Sequence, residues 1–198
     1  IDLGLTLIDT AEMYGDGATE SLLGEALQGV RDRVFLVSKV YPQNADRGRI
    51  ERACDASLRR LKTDTLDLYL LHWRGAVPLA ETVEGLEALV GAGKIRRWGV
   101  SNFDKSDMEE LMTVGGDACA TNQVLYNVTE RGVEFDLLPF LKDRGIPTMA
   151  YSPIGQGELP TSAALDAISE RFGVTPFEVA LAWVLREPGV ISIPKAGS

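Results

Sequence analysis

Short apolar runs alternate along this chain with stretches in which apolar residues return every three or four positions. The runs at residues 6–9, 33–39, 65–72, 96–100, 121–125, 147–151 and 190–195 are rich in Leu, Ile and Val and end in polar or glycine-bearing loops, which predicts seven strands. Between them, Leu22, Leu23, Ala26 and Leu27, then Ile50, Ala53, Cys54, Ser57, Leu58 and Leu61, then Val83, Leu86, Leu89 and Val90 keep helical spacing. Met108, Leu111 and Met112 predict a further helix capped by Asp104. Helices are also expected at 135–144, at 161–172 with Gly173 as its stop, and at 175–187, where Thr175-Pro176-Phe177-Glu178 reads as a capping box. Gly91 and Gly93 are expected to close the third helix, and Pro139 falls in the first turn of the fifth.

The strand ends at Asp9, Lys39 and His72 lie 30 and then 33 positions apart, the period of a βα unit. Parallel strands covered by helices suggest a (β/α)8 barrel or an open doubly wound sheet. A barrel takes eight strands and about 250 residues, so this chain of 198 reads as one unit short. A single domain over 1–198 is expected.

Composition narrows the function. With 45% hydrophobic and 25% charged residues, the chain can bury a sizeable core. A net charge of −9, with no long basic block, argues against a nucleic-acid partner. No apolar run is long enough to span a membrane and no signal-peptide pattern opens the chain, so a cytoplasmic location is expected. Cys54 and Cys119 lack CxxC spacing, and with a single His they make no typical structural zinc site; reduced thiols and no metal are expected. Asn127-Val128-Thr129 matches a glycosylation triplet, which carries no weight without a secretory signal.

The chemistry gathers at the strand ends. Side chains alternate along a strand, so Asp9, Lys39 and His72 each follow apolar residues of one face, and Tyr14 stands on the loop just beyond Asp9. Singly, each has an ordinary explanation as a turn cap, a solvated strand end or a core histidine. Together they suit proton donation to a carbonyl. A free tyrosine, with pKa about 10, is a poor acid at neutral pH unless something stabilises the phenolate. A lysine ammonium does so in a dry site; Asp9 would hold Lys39, and His72 would orient the substrate oxygen or share its proton with Tyr14. No nucleophile or metal motif accompanies them, so the hydride for such a reaction would come from a cofactor. Yet Gly15-Asp16-Gly17 has Glu20 where the third glycine of a dinucleotide fingerprint belongs, and Gly155-Gln156-Gly157 fails likewise.

The segments Leu7-Ile8-Asp9-Thr10-Ala11-Glu12-Met13-Tyr14-Gly15, Val37-Ser38-Lys39, Leu70-Leu71-His72-Trp73, Gly99-Val100-Ser101-Asn102-Phe103, Asn122-Gln123-Val124-Leu125-Tyr126-Asn127, Ala150-Tyr151-Ser152-Pro153 and Ile193-Pro194-Lys195 resemble, in order and over nearly the whole chain, the bacterial-type aldo-keto reductases. The resemblance implies a (β/α)8 TIM barrel that binds NADPH without a dinucleotide fingerprint, and reduction of aldehydes or ketones to alcohols. It implies a catalytic tetrad of Asp9, Tyr14, Lys39 and His72, with Tyr14 as general acid. Ser101, Asn102 and Gln123 would hold the nicotinamide carboxamide and Tyr151 would stack on its ring. Ser152, Pro153, Ile154 and Gln156 would follow the pyrophosphate, Lys195 would meet the adenosine 2′-phosphate, and Trp73 would line the substrate pocket. Against the family pattern, the first strand before Ile1 and the last helix after Ser198 are missing, leaving exposed edges at 5–9 and 190–193. The parent is then expected to be a monomer and these 198 residues alone to self-associate. Two other readings stay open: a nicotinamide-binding protein without turnover, like channel auxiliary subunits of this fold, and a barrel hydrolase or isomerase using Asp9 and His72.

Overall fold

A computed structural model describes residues 1–195. The chain divides into two compact units, Ile1–Ala120 and Thr121–Ser198.

The first unit alternates β1 (Leu7–Asp9), α1 (Ala18–Ala26), β2 (Phe35–Val40), α2 (Arg47–Leu61), β3 (Leu68–Leu71), α3 (Leu79–Gly91), β4 (Trp98–Ser101) and α4 (Lys105–Thr113). Its strands pair in parallel and in sequence order, as βα connections require. Both faces of β2 are covered: Leu36, Val37, Ser38, Lys39 and Val40 have no exposure. The helical spacing of α2 is borne out, since Ile50, Ala53, Cys54, Ser57, Leu58 and Leu61 are its buried face. Asp46 caps that helix by accepting from the Gly48 and Arg49 amides. Asp104 caps α4 as expected, in a reciprocal box with Asp107.

The strands are shorter than the apolar runs. Residues 65–67 drop out of β3 because Leu66 makes only a single bridge to Ile95, while the Asp67 carboxylate accepts from the Leu36 amide and from Arg31. At the end of α3 it is Gly93, at φ +72°, that takes the left-handed position; Gly91 is still helical.

The second unit holds β5 (Asn122–Leu125), α5 (Leu137–Asp143), β6 (Thr148–Tyr151), α6 (Ala163–Phe172), α7 (Pro176–Leu185) and β7 (Val190–Ile193), with β5, β6 and β7 parallel and adjacent in that order. Tyr126, Ala150 and Val184 are its fully buried centre, with Leu138, Trp183 and Val190 packed against them. The helix expected at 135–144 starts two residues late, after a 3-10 turn at Gly132–Glu134, and Phe135 is left 89% exposed. Pro139 is the third residue of α5, where no intrahelical N–H bond is lost. Gly173 at φ +65° stops α6, and Thr175 and Glu178 form the expected capping box of α7. Among the described residues no helix is long and apolar enough to cross a membrane.

Candidate active site

Register explains how the strand ends meet. Asp9 pairs with Val37, Lys39 with Leu70, and Leu70 with Gly99. Continuing each ladder by two residues sets Lys39, His72 and Ser101 on the face that carries Asp9, at the carboxyl end of the first unit's sheet. The ladder runs past β1, with the Thr10 amide bonded to the Val37 carbonyl and the Glu12 amide to the Lys39 carbonyl. Tyr14 follows on a 3-10 turn, Tyr14–Gly17.

Lys39 is the hub. Its side chain has no exposure, and its ammonium donates to Asp9 Oδ2 at 2.6 Å, to the Thr10 carbonyl at 2.9 Å and to Tyr14 Oη at 3.3 Å. An ammonium has three protons, and these three acceptors use them all. A buried charge without such partners would be strongly unfavourable. Because Lys39 is the donor in the contact with Tyr14, the phenolic hydrogen is left to point elsewhere, and Tyr14 is 37% exposed. A phenolate formed there would face an ammonium already aimed at it.

His72 stands edge-on to Tyr14, ring centroids 6.0 Å apart, and is 8% exposed. Burial first, and the Lys39 ammonium second, push its pKa down to about 4. Its Nδ1 is buried with no hydrogen-bond partner among the described residues, so nothing at that nitrogen favours the imidazolium. The ring is neutral at pH 7.

Two further aromatic rings extend from His72. Trp73 lies 4.9 Å from His72 and 5.8 Å from Tyr41, centroid to centroid. Glu12, a residue the apolar pattern does not single out, accepts from the Tyr41 amide at 2.6 Å and from Asn44 at 3.3 Å, which ties the loop carrying Tyr14 to the turn after β2. A cleft of about 820 Å³ lies among Pro42, Arg47, Gly75, Pro78 and Glu81, but none of Asp9, Tyr14, Lys39 and His72 lines it. It is a groove between the loops that lead into α2 and α3.

The remaining candidates are divided between the two units. In the first, Ser101 is buried and Asn102 exposed; Asn102 donates to the His72 carbonyl at 3.0 Å and to Ser101 Oγ at 3.2 Å. In the second, Gln123 is buried and shares a strand face with Tyr151, whose ring is partly exposed. Pro153 is buried, Ser152 and Ile154 are half-buried, and Gln156 and Lys195 are exposed. Asn102, Ser152 and Gln156 are three of the five non-glycine residues with positive φ among the described residues, at +59°, +49° and +59°. Such conformations are disfavoured for L residues and cluster where a loop is held in place for a ligand. Ser152 is held by Asn127, whose amide donates to the Ser152 carbonyl at 3.0 Å while its Oδ1 accepts from Thr129 and Glu130. Asn127 thus organises a loop, a role its sequence context signals only through the turn-forming Asn. Cys54 and Cys119 are free and buried, and burial pushes the Cys54 thiol up to about 12, so it is inert. No metal-holding cluster occurs among the described residues.

The methylglyoxal reductase YeaE of Escherichia coli is 54% identical over the whole chain, which covers 72% of that protein. A glyoxal reductase of Bacillus subtilis is 37% identical, over 98% of this chain and 69% of its own length. A crystal structure of an aldo/keto reductase from Klebsiella pneumoniae in complex with NADP and acetate superposes with a TM-score of 0.97 at 54% identity, covering all of this chain and 72% of that one. The fold class is accordingly the (β/α)8 barrel, with seven parallel strands among the described residues. The model of the aldo/keto reductase family matches residues 1–198 from end to end, and with its strand-end carboxylate, phenol, ammonium and imidazole the chain belongs to that family.

Proposed function

We propose that this protein reduces small reactive carbonyl compounds, with 2-oxoaldehydes such as methylglyoxal foremost, and that Asp9, Tyr14, Lys39 and His72 are its catalytic group. The general activity is NADP(H)-dependent carbonyl reduction. The substrate class is supported by 54% identity to a methylglyoxal reductase and by the aromatic walls, Tyr41 and Trp73, which narrow the space beside His72. The observation that carries the assignment of roles is the Lys39 ammonium shared between Asp9 and Tyr14.

When bound, NADPH supplies a hydride to the carbonyl carbon. The chain's own residues do the rest. Tyr14 gives its phenolic proton to the carbonyl oxygen, and the Lys39 ammonium stabilises the phenolate left behind. Asp9 and the Thr10 carbonyl hold that ammonium in place and offset its burial. Neutral His72 orients the substrate oxygen. For the cofactor, the donor set fits: Ser101, Asn102 and Gln123 offer a hydroxyl and two carboxamides, able to give and accept hydrogen bonds as a nicotinamide carboxamide requires. Tyr151 offers a ring to stack. The loop through Ser152, Pro153, Ile154 and Gln156 has open space around Gly155 and Gly157, where a Cβ would meet nothing within 4 Å, so a diphosphate could approach the backbone there. Lys195 is an exposed cation suited to a 2′-phosphate.

A single domain over 1–198, a cytoplasmic location, a monomeric full-length protein and small-molecule carbonyl substrates complete the proposed reading. The test is Tyr14→Phe in the full reading frame, assayed with NADPH and methylglyoxal. Turnover is expected to fall at least 100-fold, with NADPH still quenching tryptophan fluorescence. Retained turnover would remove Tyr14 as the acid, and quenching by NADPH without consumption on any aldehyde in the wild type would point instead to a silent nicotinamide-binding protein.

A further inference from the structure

Among the described residues two charged groups have no exposure at all, Lys39 and Glu20. Lys39 belongs to the catalytic group. Glu20 stands outside it, in the first turn of α1, and its burial calls for a reason. Its carboxylate accepts from Ser38 Oγ at 2.6 Å and from Arg60 Nε at 2.6 Å, and Arg60 in turn donates to Ser57 Oγ at 3.2 Å. One side chain therefore ties α1 to β2 and to α2.

What lies on either side of Glu20 gives the tie its meaning. Ser38 immediately precedes Lys39 on β2, and by strand alternation the two side chains lie on opposite faces, so Glu20 grips β2 from behind the site. Upstream, α1 begins where the Tyr14 turn ends. Gly15, Asp16 and Gly17 are three successive left-handed residues, at φ +58°, +50° and +89°, and Asp16 has no glycine's freedom there. Arg60 lies flat against Gly17: a Cβ at that position would come within 2.7 Å of Arg60 Cδ and Nε. The guanidinium that neutralises Glu20 is thus also the surface on which the Tyr14 turn rests.

We propose that Glu20 is a positioning residue of the reduction: through Ser38 and Arg60 it sets the height of the turn Tyr14–Gly17 over β2, and with it the 3.3 Å separation of Tyr14 Oη from Lys39 Nζ. A shift of a few tenths of an ångström there weakens the support for the phenolate without touching the cofactor or the substrate directly. The inference rests on Tyr14 being the acid.

The experiment compares wild type, Glu20→Gln, Ser38→Ala and Tyr14→Phe in the full reading frame, measuring methylglyoxal reduction against pH, the solvent deuterium isotope effect, NADPH affinity by fluorescence, and thermal melting. Glu20→Gln is expected to lower kcat by about 10-fold, with KM for methylglyoxal and NADPH affinity within about twofold, a larger solvent isotope effect, and a displaced alkaline limb of the pH profile. Ser38→Ala keeps the ion pair with Arg60 and is expected to move the same quantities by about threefold. It decides the matter alone if Glu20→Gln does not fold. An unchanged kcat, or a loss that follows only the folded fraction while the pH profile and isotope effect stay fixed, overturns the inference. A wild type inert toward carbonyls, or full turnover by Tyr14→Phe, overturns the reading beneath it and the inference with it.

Discussion

At the scale of the residue, the site is governed by how a buried ammonium distributes its three hydrogens. Asp9 and the Thr10 carbonyl take two and leave the third for Tyr14, so the lysine is anchored and still directed at the phenol. The same ammonium depresses the His72 pKa, which burial has already lowered, to about 4. That has a consequence for stability. An unfolded histidine titrates near 6.5, so between about pH 6.5 and pH 4 the unfolded chain binds more protons than the folded one, and stability falls as pH falls through that window. Between pH 7 and pH 5 the loss through this one group is about 2 kcal/mol. Urea unfolding at the two pH values should show it as a drop in midpoint. His72→Gln should show a smaller drop by that amount, and an equal drop in both proteins would contradict a neutral His72.

At the scale of the element, α1 is held close to α2 by a glycine as well as by Glu20. A Cβ at Gly24 would lie 2.2 Å from the Arg60 carbonyl oxygen and 2.9 Å from the Leu61 carbonyl carbon, both backbone atoms that no rotamer change can move. Alanine is the better helix former by up to about 1 kcal/mol, but overpacking against rigid backbone costs about 1–3 kcal/mol and must also displace α1. Gly24→Ala is therefore expected to lower the melting temperature by several degrees and to reduce turnover, because α1 carries the Tyr14 turn with it. A melting temperature raised by the substitution would mean that the two helices separate easily.

At the scale of the whole chain, polar chemistry and apolar surface are unevenly spread. The first unit holds the carboxylate, phenol, ammonium and imidazole, and the second holds Gln123, Tyr151, the Ser152 loop and Lys195. Each also exposes large apolar residues. Leu3 and Leu5, which lead into β1, are 92% and 76% exposed, and Phe172 and Leu185 before β7 are 65% and 56%. Exposed apolar side chains of this kind favour association. The 198 residues expressed alone are expected to elute larger than a monomer, increasingly so with concentration, in size-exclusion chromatography with light scattering. A compact monomer at every concentration, with a sharp melt, would refute this.

Sequence alone determined the repeating βα order, the caps at Asp104 and Thr175, the stop at Gly173 and the four ionisable or phenolic groups at the strand ends, because these follow from local periodicity, turn chemistry and the alternation of side chains along a strand. It overreached in strand length, where the Asp67 side chain competes for the Leu36 amide that the ladder would otherwise use. Tertiary structure alone decided which groups share hydrogens. That Lys39 donates to Tyr14, that Asn102 and Asn127 bind the carbonyls of His72 and Ser152, and that Glu20 lies wholly buried between Ser38 and Arg60 are contacts between residues 18 to 40 positions apart. No window of local pattern spans such pairs, since the partner is supplied by the neighbouring strand's end or by how α1 packs on β2 and α2.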